Sequence, residues 1–503
     1  MKATIVGAGI AGIASAIRLA VKGYHVRVFE ANAHPGGKLA TMEMGGFRFD
    51  MGPSLFTMPH LVDELFALAG RDPKDYFEYD KLEVACTYHF ADGLSMTGYA
   101  NTADFAQEVQ EKLDVPAEVI QRYFERAEMK YRNTRGVFLE RSLHKLSTYL
   151  TRDTFIGVLN LYRLGIFRSL DAENQKYLQH PHLVQLFNRY ATYNGSNPYA
   201  TPGIMSMIPH LEHGMGAAFP KGGMYSIPDS LYRLAVDLGV EFHLETPVER
   251  ILVEGKKAVG VQVNGERVEA DVVVSNADVV PTYRRLMPEQ AAPEKTLEHE
   301  RSSSALIFYW GMNGAFPDLD LHNIFFSGDY REEFNHIFET GTVSADPTVY
   351  VNIASKCAPE DAPEGKEAWF VMVNVPCDTG QDWERIRWEV RDNVIQKLSK
   401  MLGRDIASMI EVEDYLDPLR IAARTGSYRG ALYGAASNDR MAAFLRHPNF
   451  SRRIQNLYFC GGSVHPGGGI PLCLLSAKIV QDLVPQPVRK ATVPSQSREE
   501  VRA

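Results

Sequence analysis

Three glycines carry the first chemistry in the chain. Gly7, Gly9 and Gly12 follow the apolar run Ala3-Thr4-Ile5-Val6 and open a stretch of small apolar residues from Ile10 to Val21. A G-x-G-x-x-G string alone is weak evidence. Set between a strand and a helix, it is the fingerprint of a loop that cradles a dinucleotide pyrophosphate. Gly7 permits the tight turn, Gly9 lets the backbone approach the phosphates, and Gly12 lets the helix pack against the strand. The helix start adds unpaired N–H groups and the positive end of the helix dipole. Glu30 ends the next apolar run, Val26-Arg27-Val28-Phe29, 18 residues after Gly12. Its carboxylate suits ribose hydroxyls and would repel a 2′-phosphate.

More glycine-rich loops follow. Glu30-Ala31-Asn32-Ala33-His34-Pro35-Gly36-Gly37-Lys38 resembles the second fingerprint of the large FAD family that includes amine oxidases and carotenoid desaturases. That resemblance implies FAD as the cofactor, with Gly36 and Gly37 passing close to its diphosphate and Lys38 nearby. In the same family the segment Phe49-Asp50-Met51-Gly52-Pro53-Ser54 runs beside the isoalloxazine ring. Gly52 would leave space for the ring and Pro53 would stiffen the loop, with Ser54 following. Asp50 is expected to hold hydrogen bonds rather than act as an acid. Pro220-Lys221-Gly222-Gly223-Met224 precedes a helix, and the resemblance places Val248, read as a strand residue, against the adenine. The most specific run is Leu457 to Pro471, which contains Gly461-Gly462-Ser463-Val464-His465-Pro466-Gly467-Gly468-Gly469-Ile470 ahead of a helix. Backbone donors around Gly462, Gly468, Gly469 and Ile470 can face the flavin N1/O2 edge and favour hydride acceptance. The candidate cofactor contacts are thus Gly7, Gly9, Ala11, Gly12, Glu30, Gly36, Gly37, Lys38, Gly52, Pro53, Ser54, Val248, Gly462, Gly468, Gly469 and Ile470. His465 is the candidate for proton transfer, although a histidine before Pro-Gly more often packs or hydrogen-bonds. Cys460 and Cys473 have no activating partner and read as small apolar residues.

In this order, and together with Asn194-Gly195-Ser196-Asn197-Pro198-Tyr199-Ala200-Thr201-Pro202, the motifs resemble the bacterial carotenoid desaturases of the phytoene-desaturase type, from Met1 to about Val484. The loop Gly462 to Pro471 is similar to the branch of hydroxycarotenoid 3,4-desaturases. The resemblance implies a hydride passed from an allylic carbon of an acyclic carotenoid to flavin N5, at the 3,4 bond of a 1-hydroxycarotenoid. The cation left behind spreads over the polyene, so water or a weakly basic carboxylate suffices to take the proton. The chain's part is then positioning and electronic tuning. The alternatives are a phytoene desaturase, an amine oxidase-like flavoenzyme, a polyene isomerase or saturase, and a nonenzymatic binder of prenylated proteins, whose FAD motifs are degraded where these are intact. No second G-x-G-x-x-G follows a strand to hold a nicotinamide cofactor, so oxygen or a membrane quinone is the expected electron acceptor.

The elements that must position these loops can be read around them. Strand, glycine turn, helix and strand over residues 3–30 form a βαβ unit. Short strands recur between Leu238 and Ala277, and strands such as Ala305 to Trp310 dominate from Ser303 to Val375. Helices are predicted over Trp383 to Leu402 and Leu472 to Leu483. At 503 residues the chain exceeds one hydrophobic core. The expected fold is α/β: a discontinuous Rossmann-type FAD-binding domain from residues 1–70, 215–290 and 415–485, with an inserted α+β substrate and membrane-contact domain from 71–214 and 291–414. Residues 486–503, rich in Pro, Ser and charge, read as a disordered tail.

A net charge of −9 without a long basic block argues against nucleic acid as a partner. The five scattered cysteines include no CxxC pair, so neither a metal site nor a disulfide framework is expected, and reduced thiols in the cytoplasm are the simplest reading. Met1 runs directly into a strand, leaving no room for a signal peptide. No apolar run reaches the roughly 20 residues that span a bilayer. A carotenoid is insoluble in water, which predicts a protein peripheral on the inner face of the membrane. The expected docking surface is Thr154 to Arg168 read as an amphipathic helix, with Phe155, Leu159, Tyr162 and Ile166 entering the acyl boundary and Arg152, Arg163 and Arg168 meeting headgroups. An ordinary core helix is the competing reading of that segment.

Overall fold

The computed structural model describes residues 1–150, 164–439 and 446–487. Five parallel strands form one sheet, in the order Glu241–His243, His25–Phe29, Lys2–Val6, Val272–Ser275 and Leu457–Phe459. It is an α/β sheet drawn from three separate stretches of the chain. Strand side chains alternate between faces. Ala3, Ile5, Val26, Val28, Val272 and Val274 therefore share a core with the helices Ile10–Val21, Ser226–Asp237 and Ile470–Leu483. Val6, Phe29, Val273, Leu457 and Phe459 face the other way. They pack on the antiparallel meander Arg250–Glu254, Lys257–Val263 and Glu266–Glu269. Val248, expected within a strand, precedes the meander in an irregular connection. Glu245 turns the chain there with φ of 52°, and Pro247 has no N–H to give to a ladder.

A second, mixed sheet of seven strands runs in the order Ile410–Leu416, Ser304–Met312, Glu367–Val375, Val349–Asn352, His322–Phe325, Val84–His89 and Ser95–Tyr99. One face packs Leu306, Phe308, Trp310, Val371 and Val373 against the helix Trp383–Leu402. The alternate residues Ala305, Ile307, Tyr309 and Phe370 turn to the opposite face, where the hairpin Thr41–Met44 and Phe47–Asp50 contributes Phe47 and Phe49. The helices Thr102–Leu113, Ala117–Thr134, Leu170–Leu178 and Pro181–Asn188 flank the hairpin end of the sheet.

The expected amphipathic helix Thr154 to Arg168 falls outside the described residues up to position 163. Its end is not helical. Residues 164–168 form a turn in which Gly165 takes φ of 72°, Leu164 is buried and Phe167 is exposed. From residue 488 onward the expected tail also lies outside the described residues. Among the described residues no helix is long and apolar enough to cross a membrane.

Candidate active site

Glycine loops from across the sequence converge on one cavity of about 790 Å³. Gly7, Gly9, Ala11, Glu30, Gly36, Gly37, Lys38, Gly52, Pro53, Ser54, Val248, Gly462, Gly468, Gly469 and Ile470 all line it. Two of the sequence candidates do not. Gly12 sits behind the wall, where an added Cβ would lie 2.2 Å from the Gly7 carbonyl oxygen, so its work is the close packing of helix on strand. His465 is buried elsewhere, with Nε2 against the Arg141 carbonyl at 2.9 Å, and burial pushes its pKa down to about 4. It is a packing residue. The proton-transfer role considered for it is not supported, because the side chain does not reach the cavity.

The cradle is made mostly of backbone. The Glu30 carboxylate is buried rather than solvated. It accepts from the Ala8 N–H at 2.7 Å and from the Asn32 N–H at 2.9 Å, so it is fixed beneath the glycine turn. An added Cβ at Gly9 would stand 2.7 Å from Asn276 Oδ1, one at Gly52 1.9 Å from the Lys38 oxygen, and one at Gly468 2.7 Å from the Tyr433 ring. Gly37 approaches the Gly9 Cα to 3.1 Å by the same measure. Chain and ligand space meet here with no allowance for side chains, which is what an extended dinucleotide needs. Gly469, with φ of 102°, leads into the helix Ile470–Leu483, whose start has no side-chain cap and lies at the cavity wall. Pro471 has no N–H and the Cys473 N–H donates to the Gly469 carbonyl at 2.9 Å, which leaves the Ile470 and Leu472 N–H groups to face a ligand. Asn449 pins this closing loop by donating to the His465 carbonyl at 2.7 Å and to Ser476 Oγ at 3.0 Å.

Lys38, expected near a diphosphate, lines the cavity. Its ammonium donates to the Leu432 carbonyl at 2.5 Å, and burial lowers its pKa. It ties the 431–432 loop to the cavity wall. Asp50 accepts from the Met224 and Tyr225 N–H groups at 2.7 and 3.2 Å, as a structural residue would. Burial raises the thiol of Cys460 to about 12 and that of Cys473 to about 11, so neither is a thiolate.

The cavity continues along the seven-stranded sheet. Ile307, His322, Ile324, Thr348, Tyr350, Phe370, Met372 and Asn374, alternate residues of four strands, form this wall. Beside it stands a buried polar cluster that no local motif announces. Arg189 Nη2 donates to Glu212 Oε1 at 3.1 Å and to the Tyr88 hydroxyl at 3.0 Å, while Tyr190 and Tyr193 donate to the same carboxylate. Burial would raise the Glu212 carboxyl. Arg189, His213 and the two tyrosine hydroxyls outweigh it and hold the pKa below the usual range. Glu212 is thus a saturated anion and a poor base. His322 joins the same wall, its Nδ1 2.8 Å from the Tyr350 hydroxyl, which in turn lies 2.7 Å from Ser54 Oγ.

A parallel sheet with glycine loops at its strand ends, opening into a cavity that runs on along an apolar wall, defines a flavin-dependent oxidoreductase. Residues 10–483 match the family described as flavin containing amine oxidoreductase, and the chain belongs to that family. Its cofactor is FAD, and the intact cradle fits it. The chain is 53% identical over 484 residues, 96% of its own length and 99% of the relative's, to a 1-hydroxycarotenoid 3,4-desaturase of Flavobacterium sp. (strain P99-3). It is 34% identical over 95% of its length and 97% of the relative's to a 4,4'-diapolycopene oxygenase of Methylomonas sp. Among solved structures, an oxidoreductase from Methanosarcina mazei superposes with a TM-score of 0.66 at 16% identity, over 96% of this chain and 100% of the other. That likeness speaks for the fold alone.

Proposed function

We propose that the protein is an FAD-dependent carotenoid desaturase that introduces the 3,4 double bond into an acyclic 1-hydroxycarotenoid. The observation that carries this reading is the continuity of the dinucleotide cradle with an apolar wall of alternate strand residues. The 53% identity to a 1-hydroxycarotenoid 3,4-desaturase over nearly both full lengths supports the substrate. Bound FAD would supply the hydride acceptor. The chain's own residues position the substrate. Gly52 and Gly468 allow the backbone to close against a ring, and Ile307, Ile324, Phe370 and Met372 align a hydrocarbon. The cofactor contacts named from the sequence remain our assignment, with Gly12 acting through packing. No side chain on this wall is a free base: Glu212 is saturated and His465 is elsewhere. The proton therefore leaves to water, and electrons pass to oxygen or a membrane quinone.

We also place the enzyme as a peripheral protein on the inner, cytoplasmic face of a membrane. Leu146, Tyr149, Leu150 and Phe167, exposed by 53–87%, flank residues 151–163 on both sides and suit an acyl boundary.

The test is to mix holoenzyme anaerobically with liposomes carrying a 1-hydroxylated acyclic carotenoid. The expected result is bleaching of the flavin bands, a red-shifted polyene and a product lighter by two hydrogens. Gain of an oxygen atom would make it an oxygenase instead, and an unbleached flavin with every polyene would end the carotenoid reading.

A further inference from the structure

His322 is buried to 2% exposure on the cavity wall, and its Nε2 has no partner in the protein. Its tautomer can be read from its neighbours. Asn352 Nδ2 donates to the Leu321 carbonyl at 3.1 Å, which fixes that atom as the amide nitrogen. The same Nδ2, which can only donate, lies 3.1 Å from His322 Nδ1, and the Tyr350 hydroxyl 2.8 Å away can donate there too, so the surroundings of Nδ1 suit an acceptor. Burial pushes the imidazole pKa down to about 4, so the ring is neutral and its one proton sits on Nε2. The free atom is thus a hydrogen-bond donor and not a base. A buried donor left without an acceptor is costly, and such groups call for an explanation.

The remaining polar groups of this wall are already engaged. Both Arg189 Nη atoms and the Glu212 carboxylate serve the tyrosine cluster, and the Tyr350 hydroxyl bridges Ser54 and His322. The ring of His322 is held by stacking on Tyr350, with centroids 6.0 Å apart at 21°. Position matters as well. In a 1-hydroxylated chain oxidised between carbons 3 and 4, the oxygen is only roughly 4–5 Å from the reacting carbons. Its anchor must stand close to the flavin-side loop. Two hydrogen bonds of 2.7 and 2.8 Å link Ser54 of that loop to Tyr350 and on to His322.

We infer that His322 is the specificity residue for the hydroxyl end of the substrate: its Nε2–H donates to the oxygen on carbon 1 and so sets the 3,4 bond at the reacting position, with Asn352 and Tyr350 as positioning residues. This rests on the desaturase reading above. A site built to bond a substrate hydroxyl discriminates against the analogue that lacks it.

The experiment compares two polyenes of the same length, one with the 1-hydroxyl and one with hydrogen in its place. Wild-type holoenzyme should prefer the first by at least about tenfold in kcat/KM. His322→Phe keeps a ring and removes both the Nε2 donor and the Nδ1 acceptor that Asn352 and Tyr350 face. It should lose about tenfold more toward the hydroxylated chain than toward the other, and His322→Gln should recover part of that difference. The hydroxylated product, titrated by tryptophan fluorescence quenching, should bind the Phe variant about tenfold more weakly, a readout independent of turnover. Equal wild-type efficiency on the two chains would overturn the anchor while leaving the desaturase reading standing. So would an equal loss on both in His322→Phe. Turnover of neither chain would overturn the desaturase reading and the anchor with it. Should the Phe variant fail to fold or to keep flavin, the wild-type comparison and the Gln variant decide.

Discussion

The two ends of the cavity are built in opposite ways. The dinucleotide end is backbone: at 9, 37, 52 and 468 an added Cβ would press on neighbouring atoms, and Gly7 takes a left-handed φ of 95° that side chains disfavour. The substrate part, which begins at Ser54 and runs on through Tyr350 and His322, is side chain: Arg189, Glu212, His322 and Tyr350, from separate segments, stand together in a buried polar cluster set in an apolar wall. A backbone cradle tolerates no added atom. A side-chain cluster tolerates no missing partner.

That contrast predicts how each end breaks. The largest effect is expected from Gly9→Val, because its Cβ falls 2.7 Å from Asn276 Oδ1 and its methyls fill the space for the pyrophosphate. The flavin-to-protein ratio after purification should drop to near zero, and a variant that keeps stoichiometric FAD would refute this placement. Next comes Arg189→Met at the other end. It leaves the buried Glu212 carboxylate with its tyrosine donors but without its guanidinium partner, and breaking a buried ion pair typically costs about 3–5 kcal/mol. Urea unfolding should show that loss, with partial recovery when Glu212→Gln is added. A loss below about 1 kcal/mol would mean that the cluster relaxes or hydrates freely.

The smallest effect is titration. Burial pushes His144, His322, His447 and His465 each down to about 4. Below their ordinary value near 6.5, the unfolded chain binds protons that the folded chain refuses. Their stabilisation is therefore complete above pH 6.5 and is lost as pH falls toward 4. Melting temperatures between pH 7 and 4.5 should fall accordingly. His465→Asn should make that dependence shallower and leave kcat within about threefold of wild type, since the residue lies off the cavity; a kcat loss of two orders would return it to the chemistry.

The same contrast explains what could be read in advance. The glycine loops are contiguous strings whose spacing reports backbone geometry, so Gly7, Glu30, Gly37, Gly52 and Gly468 were legible, as were the helices around them. Arg189, Glu212, His322 and Tyr350 were not. Each looks ordinary in its own segment, and only the strand register of the seven-stranded sheet and the turn around Glu212 bring them together. The alternation His322, Ile324 and Thr348, Tyr350 marks one face of two paired strands, but nothing local says that this face meets a cavity. His465 misled in the other direction, for it sits inside the most specific motif and points out of it. At Gly165, a left-handed φ ended a helical pattern that apolar spacing had carried on to Arg168.

The order of the five-stranded sheet also has a consequence for synthesis. Its last strand, Leu457–Phe459, pairs with Val272–Ser275, more than 180 residues earlier, and the loop behind it completes the flavin side of the cavity. A nascent chain can form the Ile10–Val21 turn and helix early, because those contacts are local. It cannot enclose a cofactor until nearly all of it has left the ribosome. Loading is thus coupled to completion: translation stopped before residue 457 yields chains that lack one wall of the pocket. A held flavin then marks a chain whose synthesis has passed the closing loop and the helix Ile470–Leu483.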